Sequence, residues 1–272
     1  MIGIDKYLNK VTVGDAAKLL QELPDASIDL TITSPPYGSL RSYNGFDFDF
    51  EAIAHELYRT TKDGGVLVWV IGDERVDKSE SGESFRQALY FKDIGFNLHD
   101  TMIYMKSGPS YPSQDTYYQV FEYMFVLSRG TPKTVNLIKD RENRWWGQKW
   151  AKTRTRREKD GSLKEQMWYA DEGDKLGVRF NIWQYSVGHG YHGDIFCHKH
   201  PASFPEALAE DHIISWSNPG DIMLDPLCGS GTTLKMAKIH NRKYIGFDVS
   251  QEYVDLSRER LAHTARSLFS HT

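Results

Sequence analysis

Two short segments of the chain combine residue types that suit a chemical task. The first is Thr33-Ser34-Pro35-Pro36-Tyr37. Consecutive prolines fix φ and lack the N–H donor, so the carbonyls of Ser34 and Pro35 are less readily consumed in local turns and can point outward as acceptors. The tyrosine adds a flat face. A side-chain oxygen, a backbone carbonyl and an aromatic plate suit a planar group bearing an –NH2. Hydrogen bonds accepted from that amine localise its lone pair on nitrogen, and the ring stacks on the plate. Taken alone, the same residues read at least as readily as a stiff turn.

The second segment, Asp221 to Thr233 (DIMLDPLCGSGTT), reads as strand, glycine-rich loop and helix start. Glycines there let the backbone wrap closely around a ligand at a helix N-terminus. The Gly-Lys-Ser/Thr of a P-loop is absent, as is the dinucleotide Gly-x-Gly-x-x-Gly. One βα unit later Tyr244-Ile245-Gly246-Phe247-Asp248 is a strand ending in an acid, a carboxylate that suits the two hydroxyls of a ribose. Separately, Gly229-Ser230-Gly231 could be a helix-starting turn and Asp248 a helix cap. The pair at this spacing favours a ligand pocket.

The elements that must position these residues alternate strand and helix. Ala16 to Leu20 reads as a short helix and Ser27 to Thr33 as a β-branched strand ending at the prolines. Glu51 to Thr61 has a helical apolar face, Gly64-Gly65 is read as its end, and Val66 to Ile71 is a second buried strand. Ser84 to Ile94 reads as a helix, Leu98 to Met105 and Val120 to Leu127 as strands. After His200 the alternation resumes: helix Phe204 to Trp216, strand Ile222 to Leu224, helix Thr232 to His240, strand Lys243 to Phe247 and a final helix from Gln251 to about Ser267. Between about Gly130 and Asp194 the periodicity is weak and charge, tryptophan, Gly and Asp are frequent, as in an inserted module.

With both motifs in view, the chain resembles the amino-methyltransferases of DNA, which act on N4 of cytosine or N6 of adenine. Ser34-Pro35-Pro36-Tyr37 matches their Asp/Asn/Ser-Pro-Pro-Tyr/Phe motif, and Asp225-Pro226-Leu227-Cys228-Gly229-Ser230-Gly231-Thr232-Thr233 their Asp-Pro-Phe-x-Gly-Ser-Gly-Thr-Thr motif, with Leu227 in place of the usual Phe. The catalytic motif comes first, as in the permuted β group. The similarity covers roughly residues 11–128 and 197–262. It implies an α/β, Rossmann-like methyltransferase fold with a mostly parallel sheet and helices on both faces. Residues 1–128 and 196–272 would form the catalytic and cofactor-binding domain, and 129–195 an inserted target-recognition region.

The resemblance further implies direct in-line methyl transfer from S-adenosylmethionine to the amine of a flipped base, with no cysteine nucleophile. Ser34 to Tyr37 would be catalytic. Asp15, His200, Phe204, Pro205, Asp225 to Thr232 and Asp248 would line the cofactor pocket, with Asp15 near the adenine and the segment Lys199 to Glu206 closing the methionine end. The serine of the tetrapeptide favours cytosine N4, with adenine N6 as the alternative. A methyltransferase for RNA or protein glutamine would fit the tetrapeptide, but the motif order argues against it. A non-catalytic DNA-binding module would fit the fold, but the intact motifs argue against it.

Within the inserted region Lys149, Lys152, Arg154, Arg156, Arg157 and Lys159 face one acid, Glu158, and Trp145, Trp146 and Trp150 lie at its start. Such a run is often a solvated loop, but here it sits where the family reads its target, and Lys149, Lys152, Arg154, Arg156 and Arg157 are expected to contact double-stranded DNA. Trp168, Trp183 and Tyr185 are read as core aromatics of that module. His189, His192, His198 and His200 with Cys197 match no standard zinc spacing, and no metal is expected.

The 272 residues carry a net charge of -4, which neither argues for nucleic acid nor excludes a local basic surface. Two distant cysteines form no disulfide framework and suit a reducing compartment. No stretch reads as a signal peptide or a membrane span, so a cytoplasmic enzyme is expected, as monomer or homodimer, with a cognate restriction endonuclease as a possible partner.

Overall fold

The computed structural model describes residues 3–36, 48–108, 115–144, 146, 150–170, 174–186 and 205–264, with backbone alone at 150–152, 154 and 168–170. A 3-10 turn at Ile4–Lys6 precedes β1 (Lys10–Val13), α1 (Ala16–Gln21), β2 (Ile28–Thr33), α2 (Phe50–Thr60) and β3 (Thr61–Ile71). A small ribbon follows, β4 (Arg75–Val76) with β5 (Ser79–Glu80), then α3 (Glu83–Asp93), β6 (Asn97–Lys106) and β7 (Phe121–Ser128). Next come β8 (Lys139–Glu142), β9 (Trp150–Arg157), β10 (Leu163–Ala170), β11 (Leu176–Val178) and β12 (Ile182–Tyr185). The chain closes with α4 (Glu206–Trp216), β13 (Ile222–Asp225), α5 (Thr232–Ile239), β14 (Lys243–Asp248) and α6 (Gln251–Ala262).

Among the described residues, one eight-stranded sheet runs in the order β1-β14-β13-β2-β3-β7-β6-β12. Only β7 runs against its neighbours, pairing antiparallel with β3 and β6. The run VLVWVI is continuous because β3 is buried on both faces. Leu67, Trp69 and Ile71 join a cluster with Leu20 of α1, Leu57 of α2 and Phe91 of α3, while the alternating Val66, Val68 and Val70 are buried as well. α4 packs on β2, and α5 on β13. Local signals set the helix starts. Asp15 caps α1 by accepting the Lys18 N–H, Asp49 caps α2 through the Ala52 N–H, and Ser250 caps α6 through the Tyr253 N–H.

Two expectations change, and one strand forms where no element is read from the sequence. Gly64-Gly65 does not end α2, which stops at Thr60; both glycines lie inside β3. They are required by crowding. Gly64 has φ +77° and a Cβ there would lie 2.4 Å from Lys133 Cγ, while one on Gly65 would lie 2.8 Å from Thr61 Cγ2. Trp183 and Tyr185 are buried, but in β12 of the main sheet, which pairs in parallel with β6, not in the inserted module. β1 carried no periodic signal over four residues, yet forms the sheet edge beside β14.

Two compact units emerge. One comprises residues 1–136 and 181–272, the other Leu137–Phe180. The smaller unit is built from two antiparallel pairs, β8 with β11 and β9 with β10. Arg141 stacks on Phe180, and Arg179 forms an ion pair with Asp140 that holds that carboxyl below its usual range.

Candidate active site at the carboxyl ends of neighbouring strands

β13 and β2 lie side by side and run parallel. From β13 the chain proceeds outward through α5 to β14; from β2 it proceeds the other way through α2 to β3. The strand order therefore reverses between them, and crevices at the carboxyl ends of strands at such a switch point are where open α/β sheets bind ligands. β2 ends at Thr33, immediately before Ser34-Pro35-Pro36. β13 ends at Asp225, the first residue of the glycine-rich motif. Sheet pairing thus brings together two motifs about 190 residues apart in sequence.

A buried hydrogen bond joins them. Thr33 Oγ1 donates to Asp225 Oδ1 at 2.8 Å, and the same oxygen accepts the Leu227 N–H at 3.2 Å. Burial lifts the Asp225 carboxyl to about 6, against the lowering pull of its bonds from Thr33, Thr233 and the Leu227 N–H. Thr233 also donates to the Ile32 carbonyl, a second tie from α5 to the end of β2. Beyond Thr33, Ser34 and Pro36 are half-buried and Pro35 is buried. Tyr37 lies outside the described residues.

The glycine-rich loop is pinned along its length. Cys228 donates its N–H to the Phe247 carbonyl at 2.8 Å, and the Gly229 N–H donates to Asp248 Oδ2 at 2.8 Å. Gly229 (φ +49°) and Gly231 (φ +77°) both lie in the left-handed region that glycine occupies without strain. A Cβ on Gly231 would fall 2.1 Å from Ser257 Oγ, so this position also admits α6 at close range. Gly231 starts α5 and brings no capping side chain. Asp248 is not a helix cap, since Ser250 holds that role. Its carboxylate sits at the end of β14 between two backbone donors, Gly229 N–H and Ser250 N–H. Burial raises its pKa as well. Burial also raises the Cys228 thiol, which suits a packing residue and not a nucleophile.

The other expected residues distribute as follows. Val13 pairs with Asp248, and the Gly14 N–H donates to the Asp248 carbonyl at 2.9 Å, so Asp15 stands two residues past the end of β1, next to the end of β14. Pro226 and Leu227 lead the loop, Ser230 and Thr232 are buried within it, and buried Pro205 starts α4. His200 and Phe204, with the histidines at 189, 192 and 198 and Cys197, lie outside the described residues, as does Lys149. Lys152, Arg154, Arg156 and Arg157 lie on β9, with Arg156 and Arg157 exposed. In backbone register, Arg156 is paired with Lys164, Arg154 with Gln166 and Lys152 with Trp168.

Sequence reasoning missed Arg260, the fully buried guanidinium of α6, which reaches the loop at Ser230 and Thr232 and binds Glu206 of α4. An arginine in a helix written SRERL carries no local mark of burial. Only the fold shows it.

The parallel order, the switch point and the paired motifs define an α/β methyltransferase fold. The profile of the N6/N4 DNA methylases matches residues 28–259. The orphan methyltransferase M.BamHII of Bacillus amyloliquefaciens is 55% identical over 251 residues, covering 89% of this chain and 91% of that protein. Among solved structures, the cytosine-N4-specific PvuII DNA methyltransferase shares the fold at a TM-score of 0.66 and 21% identity, over 92% of this chain and 85% of that one. The protein TTHA0409 of Thermus thermophilus, complexed with S-adenosyl-L-methionine, does so at 0.64 and 23%, over 97% and 99%. The chain belongs to the N6/N4 DNA methylase family.

Proposed function

We propose that the chain transfers a methyl group from S-adenosylmethionine to the N4 amine of cytosine in double-stranded DNA. The observation that carries the reading is the buried Thr33–Asp225 hydrogen bond, which ties the amine-binding tetrapeptide to the cofactor loop at the switch point of the sheet. The residues present suit the cofactor. Asp248 offers a fixed carboxylate to ribose hydroxyls, and the left-handed glycines allow the loop to wrap it. Asp225 and Asp248 are two carboxyls whose ionised forms burial penalises, an environment that a bound sulfonium cation relieves. Asp15 would lie toward the adenine, and Pro205, with His200 and Phe204, toward the methionine end.

S-adenosylmethionine supplies an electrophilic methyl on sulfur. The Ser34 hydroxyl and the Pro35 carbonyl would accept hydrogen bonds from the target amine, keeping its lone pair available, and Tyr37 would stack on the flipped base. Positioning and charge stabilisation suffice, and no covalent intermediate with the enzyme is needed. Within the region 129–195, the unit Leu137–Phe180 would read the DNA. A two-stranded antiparallel ribbon such as β9–β10 fits the major groove, and Lys152, Arg154, Arg156 and Arg157 along it, with Lys149 before it, would meet phosphates. Ser34, as the first residue of the tetrapeptide, supports cytosine N4 as the target.

Incubation with DNA and methyl-labelled S-adenosylmethionine, digestion to nucleosides and chromatographic separation test this. Label is expected in N4-methylcytosine. Label in N6-methyladenine would move the target to adenine, and no label on varied DNA would overturn the enzyme assignment. Tyr37→Ala is expected to lose transfer while still binding cofactor.

A further inference from the structure

A charged guanidinium is costly to bury, and well-packed apolar residues often stabilise a core as well or better. Arg260 is 1% exposed all the same. Its Nη1 donates to the Ser230 carbonyl at 3.1 Å and to Thr232 Oγ1 at 2.9 Å. Its Nη2 donates to Glu206 Oε1 at 2.6 Å. The peptide between Ser230 and Gly231 is consequently held at both ends, since the Gly231 N–H donates to the Cys228 carbonyl at 2.7 Å. Glu206 is the first residue of α4, and its Oε1 also accepts from Lys235 Nζ of α5 at 2.6 Å. One planar cation on α6 thereby fixes the loop peptide and the start of α4, the helix that follows the segment expected to close the pocket. Asp248 and Asp225 hold the loop at Gly229 and Leu227, but neither reaches the Ser230–Gly231 peptide.

We propose that Arg260 is a positioning residue for cofactor binding, setting the Ser230–Gly231 peptide and locking it to Glu206. The inference rests on the reading of this loop as the S-adenosylmethionine site. Lysine at this position keeps the charge but lacks the planar fork that spans Glu206 and the loop oxygens together.

Calorimetric titration of the full chain with S-adenosylhomocysteine, the demethylated product, separates the possibilities. A wild type that binds none of it overturns the site assignment itself. A wild type that binds, with Arg260→Lys binding equally well, overturns the positioning role alone. The expected result is a dissociation constant raised on the order of tenfold or more in Arg260→Lys. In steady-state assays the KM for S-adenosylmethionine rises in parallel, while kcat at saturating cofactor and the KM for DNA stay within about twofold of wild type. If kcat and both KM values shift together, the residue serves general stability and the inference fails. Should Arg260→Lys not fold, Glu206→Gln carries the test, because it leaves the loop contacts of Arg260 in place while weakening their anchor. It is expected to raise the same KM by roughly threefold to tenfold, and an unchanged KM in the folded variant overturns the proposal.

Discussion

From Asp225 to Thr232, loop polar atoms meet buried or half-buried partners drawn from β2, β14 and α6: the Thr33 hydroxyl, the Phe247 carbonyl, the half-buried Asp248 carboxylate and the Arg260 guanidinium. Along β9 and β10 the opposite holds. Thr153, Thr155, Arg156 and Arg157 are exposed, as is every residue from Leu163 to Met167. The first region is over-determined, so removing one partner strands another away from water, at a cost of about 1–3 kcal/mol per group. The second carries its charge in solvent, where a single side chain adds little to stability. A site that must place a methyl donor against an amine needs the first kind of construction. A surface that follows a polyanion needs the second.

Asp248 is where that contrast predicts the largest loss. Asp248→Ala removes the carboxylate proposed to hold the ribose and leaves the Gly229 and Ser250 N–H groups without their acceptor. Affinity for S-adenosylhomocysteine should fall on the order of 100-fold, measured by calorimetry, with DNA binding retained. Binding within a few fold of wild type would place the ribose elsewhere. Asp248→Asn keeps one acceptor oxygen and should lose less.

The Thr33–Asp225 tie comes next. Thr33→Val keeps the shape of the side chain but removes the tie from β2, leaving Asp225 Oδ1 with the Leu227 N–H. The expected outcome is a lower kcat, on the order of tenfold, with cofactor affinity nearly unchanged, read from single-turnover and binding assays. A fall in cofactor affinity with kcat preserved at saturating cofactor would show that the tie serves the cofactor loop and not the tetrapeptide. The same carboxyl has a pH signature. Its pKa rises from 3.8 to about 6 on folding, so folding favours the protonated form. That stabilisation is fully present below about pH 4 and is lost as pH rises through about 6. Asp225→Asn cannot ionise, so its unfolding free energy relative to wild type should grow between pH 4 and 7, by on the order of 3 kcal/mol. A difference independent of pH would show that Asp225 does not titrate there.

Sequence patterning made much of the over-determined region readable. Ser34-Pro35-Pro36 and Gly229-Ser230-Gly231 stand out because unusual backbone chemistry requires unusual residues, and Asp248 because it ends an apolar strand. Thr33 and Arg260 do not stand out. A threonine in a β-branched strand and an arginine in a charged helix are what propensity alone supplies, and their partners lie 192 and 54 positions away in sequence. β12 was hidden for a related reason: four residues, Ile182 to Tyr185, follow an inserted unit whose composition masks the return to the main sheet. The glycine pair misread as a helix end shows the converse, because Gly64 and Gly65 answer to crowding from Lys133 and Thr61 that no local pattern displays.

The smallest effect on the fold, and the sharpest test of the contrast, belongs to β9. Arg156 and Arg157 are neighbours on an exposed strand, so successive side chains point to opposite faces of the ribbon. If the ribbon lies in a groove, both faces pass close to phosphate, and each arginine releases counterions on binding. Each Arg→Ala change should then flatten the slope of log K against log salt by about 0.9, and the double variant by the sum. Thermal stability should stay within about 0.5 kcal/mol of wild type, and affinity for S-adenosylhomocysteine should be unaltered. A slope reduced by only one of the two changes would mean that a single face of β9 meets DNA. An unchanged slope in the double variant would remove β9 from the interface and leave its charge as that of a solvated strand.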